Sequence, residues 1–579
     1  MHLWDRFSEA IGALPARRVT WGLVLVFALW VLLDVLVLKF TGGLTQSTYD
    51  AMVRARVLAP APDPRIVVVD IDEASLARMG KEFGRWPWPR DTLATVLEHI
   101  ERQQPAAVVW DVLFSDADRL SPGGDAAFNE AAKRSVHSHF SVVRLPQSND
   151  ADSQIGKVAL PSLWLAPHLQ ALLAEPRSAP QPSLPAATVA LIPPGLPAVA
   201  NGRLGYNNGY VDDDGVLRRY RYFERLSDGS AIQSLPLSVL SAIDSEAAGA
   251  YLVGASERIG GKDDLIVWPK RANAYPHLAF ADVFMQAEGE PPWVPVPSLA
   301  GKVVIIGATA PSLHDIHPTP LSNMHAGVDA LAVVVDNAMN QRQLRELPRG
   351  LQAALAIALC VALALWVQFK SAASLAPALL ALPAALLGVS YLSLNGSPVF
   401  VDLHLSAALG LVFLAVLRFW SALRRVHWCL PPQGDVLAVW PLRRDAAWLE
   451  EPLDRLIDAV ERHAPECRVL VCDSNVVWPA TLRWPELARF AAVVGPPDAL
   501  QRALPALTRQ TQRLVQQAGP LSLLPMVPVH AGGEAALLAG RRLQLAQYAY
   551  QTWATFGALA PQAHAVPAPS THNNPGKTT

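Results

Sequence analysis

The chain contains four long, nearly uninterrupted apolar runs. One lies near its start, and three lie close together beyond residue 350. Val19 to Lys39 contains about the twenty apolar residues that are needed to cross the hydrocarbon core of a bilayer, and Arg17 and Arg18 precede it. This run does not end in the small residues of a cleavage site, so we interpret it as an uncleaved anchor. The later runs cover residues 351–369, 374–394 and 401–420. The pattern predicts four transmembrane α-helices, the first at residues 19–39.

Basic residues indicate how these spans are oriented. An even number of spans places both termini on one side of the membrane, and that side carries Arg6, Arg17, Arg18, Lys370, Arg418, Arg424 and Arg425. By the positive-inside rule this side is the cytoplasm. We therefore expect a multi-pass protein of the bacterial inner (cell) membrane. Its N-terminal tail (1–18) and C-terminal part are then cytoplasmic, and residues 40–350 are periplasmic or extracellular.

Composition and cysteine placement agree with this organisation. Hydrophobic residues make up 51% of the chain and charged residues only 17%, a balance typical of folded domains combined with membrane spans. The formal net charge of −2 creates no field that would attract nucleic acid, so we expect no nucleic-acid partner. All four cysteines lie outside residues 40–350, so that domain must be stabilised by a hydrophobic core without disulfides.

Within residues 40–350, three short apolar runs have the character of buried strands. Arg65 to Ile71, Ala106 to Phe114 and Gly301 to Ala308 are too continuously apolar for strands with one solvent-exposed face. An amphipathic segment from Asp91 to Gln104 lies between the first two and predicts a helix. A strand, helix, strand order predicts a parallel pair with a right-handed crossover, so we expect an α/β extracytoplasmic domain.

Turn and cap residues complete the reading of this domain. Asp72 to Gly80 is predicted to form a helical turn that Asp72 caps and Gly80 ends. Seven prolines from about Pro176 to Pro197 predict an exposed loop without regular structure. Gly205 to Tyr222 is predicted to form a hairpin that turns at Asp213 to Gly215.

Several of these segments together resemble one known family. The segments are VVVDIDEASLARMG, RWPWPRDTLATVLEHI, VVWDVLFSD, VDDDGVLRRY, GKVVIIGATAPSLHDIHPTPLS and GVDALAVVVDN, in this order along the chain. They closely resemble the CHASE type-two extracellular sensor domain over about residues 45–345. The resemblance implies reception of a signal in the bacterial envelope, with three closely spaced spans and a cytoplasmic output module after the sensor. It does not supply the ligand.

Candidate ligand-binding residues follow from the predicted strands. Open α/β sheets bind ligands at the carboxyl ends of their parallel strands, and a rigid segment with two arginines could hold an anionic group. The candidates on these grounds are Asp70, Asp72, Arg85, Trp86, Arg90 and Asp111. The alternative is structural: the arginines pair with the aspartates while the tryptophans pack.

We interpret two other polar clusters as ordinary loop and turn residues. His314, Asp315 and His317 have metal-ligating side chains but no fourth ligand nearby. Asp212 to Asp214 precede Gly215, but they do not have the alternating pattern of a calcium loop. We expect no metal and no cofactor.

The C-terminal part is predicted to form a small cytoplasmic α/β domain over residues 430–560, followed by a disordered tail at 561–579. Its sequence has no pattern of a class III cyclase, histidine kinase or protein kinase. Ala531 to Ala535 reads AGGEA, which lacks the second acidic residue that a diguanylate cyclase needs. Cys467 and Cys472 are read as buried structural thiols.

Three hypotheses of function remain open at this point. The first is a transmembrane receptor that senses an unknown extracytoplasmic ligand or cue and relays it to a cytoplasmic protein partner through a non-catalytic or divergent output domain. The second is an enzyme of unfamiliar class, acting on nucleotide or phosphate groups around Asp435, Asp473 and Glu534. The third is a structural scaffold of an envelope complex. We expect a homodimer, although no heptad pattern indicates one.

Overall fold

The computed structural model of the chain describes residues 14–38, 40–119, 121, 123–173, 187–256, 263–369, 375–428, 436–441, 450–473, 489–496, 498, 499, 502, 505, 527 and 528. They belong to two compact units. The larger unit comprises Val37–Gln352 with Leu386–Leu405, and the smaller one comprises the described parts of Met1–Leu36, Ala353–Ala385 and Ser406–Thr579.

The helices and strands are numbered here in chain order. The α-helices are α1 Ala16–Leu33, α2 Phe40–Ala55, α3 Glu73–Phe83, α4 Arg90–Arg102, α5 Gly124–Arg134, α6 Pro167–Leu172, α7 Pro197–Ala200, α8 Leu235–Ile243, α9 Ser245–Ser256, α10 Phe280–Ala287, α11 Gly327–Met339, α12 Arg349–Phe369, α13 Ala378–Gly396, α14 His404–Trp428 and α15 Glu450–His463. The strands are β1 Ile66–Ile71, β2 Ala107–Trp110, β3 Ser138–Arg144, β4 Leu191–Ile192, β5 Arg203–Tyr206, β6 Arg219–Tyr220, β7 Phe223–Arg225, β8 Ala231–Gln233, β9 Asp264–Leu265, β10 His277–Ala279, β11 Val303–Ala308, β12 Ile316–His317, β13 His325–Ala326, β14 Arg345–Glu346, β15 Val399–Phe400, β16 Val436–Pro441, β17 Arg468–Asp473, β18 Arg489–Gly495 and β19 Val527–Pro528.

A seven-stranded, mostly parallel sheet forms the centre of the larger unit. Its order is β10-β1-β11-β2-β3-β4, and β5 also pairs with β3. Only the β3–β4 pairing is antiparallel. The three predicted strands are therefore present, but β11 lies between β1 and β2. The prediction that β1 and β2 pair with each other is thus wrong, because β11, about 200 residues later in the chain, lies between them.

Both faces of this sheet are covered, which explains why its central strands are continuously apolar. Alternate side chains of β1, β2 and β11 contribute to two different hydrophobic clusters. The first cluster includes residues of α2, α8, α9 and α11, and the second includes residues of α3, α4, α5 and α10. The α/β prediction for this domain is confirmed, in the form of helices on both sides of one sheet.

Three local predictions need correction. Asp72 caps α3 by accepting a 2.7 Å hydrogen bond from the Ser75 amide, but the helix continues past Gly80 to Phe83 and is followed by Gly84, whose φ is +79°. The turn at Gly215 forms, yet β5 pairs with β3 and β6 with β9, so the flanking segments are not a hairpin. The predicted proline-rich loop lies partly outside the described residues, and its described end contains the short strand β4.

Among the described residues, four helices are long and apolar enough to cross a membrane, as predicted. These candidate spans run over Ala16–Leu38, Arg349–Phe369, Ala378–Gly396 and His404–Arg425. In the smaller unit, side chains of α1, α12 and α14 share one hydrophobic cluster, in which the rings of Phe27 and Phe413 meet edge-on at 5.1 Å. Asp34 lies in a π-helical segment that continues the first span and is buried.

Beyond the last span, the described residues include α15 and an antiparallel sheet of order β17-β18-β16-β19. Cys467 is buried and forms no disulfide with a described residue, whereas the side chain of Cys472 lies outside the described part of the chain. Asp435, Glu534 and the predicted tail at 561–579 lie outside the described residues, as do the AGGEA segment and the side chain of Asp473.

Candidate ligand site

The carboxyl edge of the central sheet brings together two of the predicted site residues. Asp70 is the fifth residue of β1, and Asp111 directly follows β2. The strand between them, β11, pairs its Gly307 with Asp70. A Cβ atom added at Gly307 would lie 3.0 Å from the Cβ atom of Asp111, so the absence of a side chain at Gly307 lets the backbone approach Asp111 closely.

Asp70 is part of a hydrogen-bonded group with a histidine between two carboxylates. The Nδ1 atom of His277 lies 2.9 Å from Asp70 Oδ2, and its Nε2 atom lies 2.9 Å from Asp329 Oδ1. Thr309 donates to Asp70 from its amide at 3.0 Å and from its hydroxyl at 2.7 Å. Burial opposes the charged imidazole, but the hydrogen bonds to Asp329 and Asp70 outweigh it and raise the pKa of His277 to about 9. At neutral pH the group therefore contains an imidazolium between two carboxylates.

Asp111 belongs to a second polar group at the same edge. Its carboxylate accepts a 2.7 Å hydrogen bond from the side-chain amide of Asn207. Burial and the nearby charge of Asp315 raise the pKa of Asp111 to about 7, although the bond from Asn207 acts in the opposite direction. Asp315 also lies 3.5 Å from His317, and this pairing raises the pKa of His317. A carboxyl group that titrates near neutral pH can both donate and accept hydrogen bonds, which suits a binding site.

The remaining predicted site residues make other contacts. The side chain of Asp72 is used to cap α3. Arg90 forms an ion pair with Asp125 and donates to the backbone carbonyl of Asp116, and its guanidinium group lies 5.6 Å from the centre of the Phe114 ring. These contacts favour structural roles for Asp72 and Arg90, and the partner of Arg90 is not one of the predicted aspartates.

The segment between α3 and α4 presents the other two candidates. Arg85 is exposed, and Trp86 is half-buried with its ring edge-on to Trp88 at 5.0 Å. Trp88 is buried and contacts Phe280 of α10. Thus Trp88 fixes the segment to the core, while Arg85 and Trp86 keep surface that a ligand could contact.

One comparison with known proteins decides the family. A family model described as "CHASE2 domain" matches residues 23–366, which is more than half of the chain. The chain belongs to the CHASE2 domain family. The predicted resemblance is therefore confirmed. No curated protein and no solved structure matches the chain.

The CHASE2 family consists of extracellular sensor domains, which is consistent with a sensor or receptor. The match begins inside the first candidate span and ends inside the second. The CHASE2 domain is therefore joined directly to a candidate span at each end.

Sequence reasoning missed three of the residues at the carboxyl edge of the CHASE2 domain. His277 begins a strand of only three residues, a length that gives no periodic signal. Thr309 directly follows β11. Asp329 was within one of the segments that carry the resemblance, and an acidic residue inside so apolar a helix could have indicated a buried partner.

The H-D-x-H segment has no metal-site geometry. His314 is exposed and adopts a left-handed backbone conformation with φ +58°. Within the part of the chain that the structure describes, no three His, Cys, Asp or Glu side chains are grouped so that they could hold a metal ion.

The Asp212–Asp214 turn takes part in an ion-pair network with two consecutive arginines. Arg218 pairs with Asp50 of α2 at 2.7 Å, and with Asp212 and Asp214 at 3.0 and 2.7 Å. Arg219 also pairs with Asp212, and it lies 2.8 Å from Glu346 of β14. The network thus joins α2, which follows the first span, to β14, which precedes the second.

Proposed function

We propose that the chain is a receptor of the cell envelope, whose CHASE2 domain senses an extracytoplasmic cue and relays it across the inner membrane to a cytoplasmic protein. The observation that carries this proposal is the CHASE2 match, whose two ends fall within candidate spans. In the proposed topology both termini are cytoplasmic and the receptor acts as a homodimer. Residues 430–560 engage the partner without catalysis.

We propose that the cue binds at the carboxyl edge of the sheet, near Asp70 and Asp111, with Arg85 and Trp86 on its rim. This position is the usual ligand site of open α/β sheets. The partly exposed Asp111, with its raised pKa, and the exposed guanidinium group of Arg85 would together recognise a polar molecule. Asp72 and Arg90 would support this site from the caps and ion pairs that they already form.

A ligand screen tests this part of the proposal. The melting temperature of the purified full chain is measured in the presence of each of a panel of polar small molecules. Each molecule that raises it is tested again on variants. We expect Asp111→Asn to abolish the shift. Asp213→Asn, which changes an exposed acid in a turn, serves as the matched control and should retain it. Hits that stabilise the Asp111 variant and wild type equally would place the site elsewhere.

Relay requires that a change in the domain reach both of its connections to the membrane. The ion pairs of Arg218 with Asp50 and of Arg219 with Glu346 support this, since both arginines also bind Asp212. A shift of the Asp212 turn would therefore act on α2 and β14 together. Buried ion pairs have few alternative geometries, so such a network has discrete arrangements.

Cysteine labelling of intact cells tests the topology. Residues 40–350 contain no cysteine, so Val158→Cys introduces a single thiol there at a position that is 98% exposed. A membrane-impermeant maleimide should label this variant in intact cells, whereas Arg18→Cys and the native cysteines should react only after lysis. Labelling of Val158→Cys only after lysis would contradict the proposal.

The output is tested by purifying the full chain from membranes and comparing it with a chain that ends at Trp428. A cytoplasmic partner should accompany the full chain and be absent from the shortened one. Its amount should also differ between wild type and Arg219→Gln, because the relay would be weakened. A set of bound proteins that is the same for all three chains would exclude relay through residues 430–560.

A further inference from the structure

A cavity of about 870 Å³ lies within the smaller unit. Its walls come from the start of α1, the end of α12, the end of α14, and α15 with the segment that follows it. Three candidate spans therefore terminate around the cavity, on the side where the basic residues of the spans are concentrated. The volume is sufficient for a small organic anion or a lipid headgroup.

Each carboxylate in these walls has an arginine partner. Asp458 and Glu461 both pair with Arg424, at 2.7 Å for Asp458, and Glu461 accepts a 3.1 Å hydrogen bond from the Ala16 amide. Asp454 is held by two hydrogen bonds from Arg425, of 2.7 and 3.0 Å. Arg424 and Arg425 thus hold all three carboxylates in the walls through ion pairs.

Three further arginines in the walls have no carboxylate partner among the described residues. Arg17 lies in the first turn of α1, Arg462 donates only to the carbonyl of Asp458, and Arg468 donates to carbonyls of its own loop. The guanidinium group of Arg468 lies 4.9 Å from the centre of the Trp428 ring. The cavity is therefore lined by four arginines against three carboxylates, and three of the arginines are left for a ligand.

We propose that this cavity binds a phosphate-bearing anion, held by Arg17, Arg462 and Arg468. Guanidinium groups are suited to phosphate because their planar forks donate pairs of parallel hydrogen bonds. The natural source is an anionic phospholipid of the cytoplasmic leaflet, since basic pockets between spans on that side bind such headgroups. A soluble phosphate compound has the same chemistry and is the alternative source.

The test uses the purified full chain in nanodiscs of phosphatidylcholine with phosphatidylglycerol added, followed by native mass spectrometry to count retained lipids. Wild type should retain phosphatidylglycerol. The variant with Arg17→Gln and Arg468→Gln should bind it about thirtyfold more weakly. Arg18→Gln removes the neighbouring exposed arginine outside the cavity and should bind like wild type. Arg17→Lys with Arg468→Lys keeps both charges but lacks the planar forks, so it should bind more tightly than the glutamine variant and more weakly than wild type.

A second arm distinguishes the sources. Inorganic phosphate and glycerol phosphate are titrated against the chain in phosphatidylcholine nanodiscs, and the melting temperature is recorded. Stabilisation by these compounds that the double glutamine variant loses would support a soluble ligand instead of a lipid. The melting temperatures without ligand show whether each variant is folded. Equal retention of phosphatidylglycerol by wild type and a folded glutamine variant, with no effect of soluble phosphate, would overturn the proposal.

Discussion

Arg218 and Asp50 form a buried two-point ion pair, with Nε–Oδ1 and Nη2–Oδ2 distances of 2.8 and 2.7 Å, although 168 residues separate them in the sequence. The side chain of Arg218 is 2% exposed, so water cannot replace its partners. The pair fixes α2 to the Asp212–Asp214 turn of the CHASE2 domain.

Replacing Arg218 should strongly destabilise the domain. Arg218→Met leaves the carboxylates of Asp50, Asp212 and Asp214 without their common cation, and we expect a loss of about 3–5 kcal/mol in the free energy of unfolding. Urea titration of the full chain in detergent, followed by tryptophan fluorescence, measures this loss. Arg225→Met changes an exposed arginine nearby and should cost less than about 0.5 kcal/mol. Similar losses for the two variants would show that the network contributes little.

His277 should make stability depend on pH in the alkaline range. Its pKa is raised from 6.5 to about 9, so the folded state binds a proton more tightly than the unfolded state. The resulting stabilisation is complete below pH 6.5 and is lost as the pH rises through 9, with a total of about 3 kcal/mol.

Unfolding curves from pH 6 to pH 10 test this prediction. Wild type should lose stability across the upper part of this range, and His277→Gln should lack that decline because glutamine does not titrate. His168→Gln, at an exposed histidine, should retain the wild-type profile. A decline of the same size in His277→Gln would assign the pH dependence to other groups.

Much of the CHASE2 fold could be predicted from local sequence pattern. The features that could not be predicted depend on contacts between distant parts of the chain. The apolar runs around Val68, Val109 and Ile305 indicated buried strands because both sheet faces are covered. Nothing local to them indicates that β11 pairs with both β1 and β2. The hairpin expected at Gly215 failed for the same reason, since its flanking strands find distant partners.

The candidate site was predictable to a similar extent. Asp70 and Asp111 follow from the rule that parallel strands end at a common edge. His277 and its contact with Asp70 did not follow, because 207 residues separate them and β10 is too short to recognise. Arg90 was correctly singled out as a cation in a rigid segment, but its partner Asp125 is fixed by the packing of α5.

Asp111 should also make the stability of the domain depend on pH. Replacing its ionisable carboxyl group should stabilise the domain. Its pKa is raised from 3.8 to about 7, so the wild-type domain loses stability as the pH rises through this interval and the desolvated carboxyl ionises. Asp111→Asn keeps an acceptor for Asn207 and removes the ionisation. We expect its free energy of unfolding to exceed that of wild type by more at pH 8 than at pH 4.5, the two differences being about 3 kcal/mol apart. Asp213→Asn should leave the difference between the two pH values unchanged, and a parallel course of the Asp111 variant and wild type would contradict the raised pKa.

A side chain at position 307 should destabilise the domain. The backbone of Gly307 lies close to α11 and to Asp111 at the carboxyl edge of the sheet. An added Cβ atom would lie 2.7 Å from Val328 Cγ2 and 3.0 Å from Asp111 Cβ, and neither neighbour can move freely since Val328 is fully buried. Gly307→Ala should therefore cost about 1–3 kcal/mol in the free energy of unfolding. Gly80→Ala is the matched control: its added Cβ meets nothing within 4 Å inside α3, so it should stabilise by about 0.5–1 kcal/mol. If Gly307→Ala were as stable as wild type, α11 would not be held against β11 at this distance, and the site built from Asp70, Asp111 and Asp329 would lose its geometric basis.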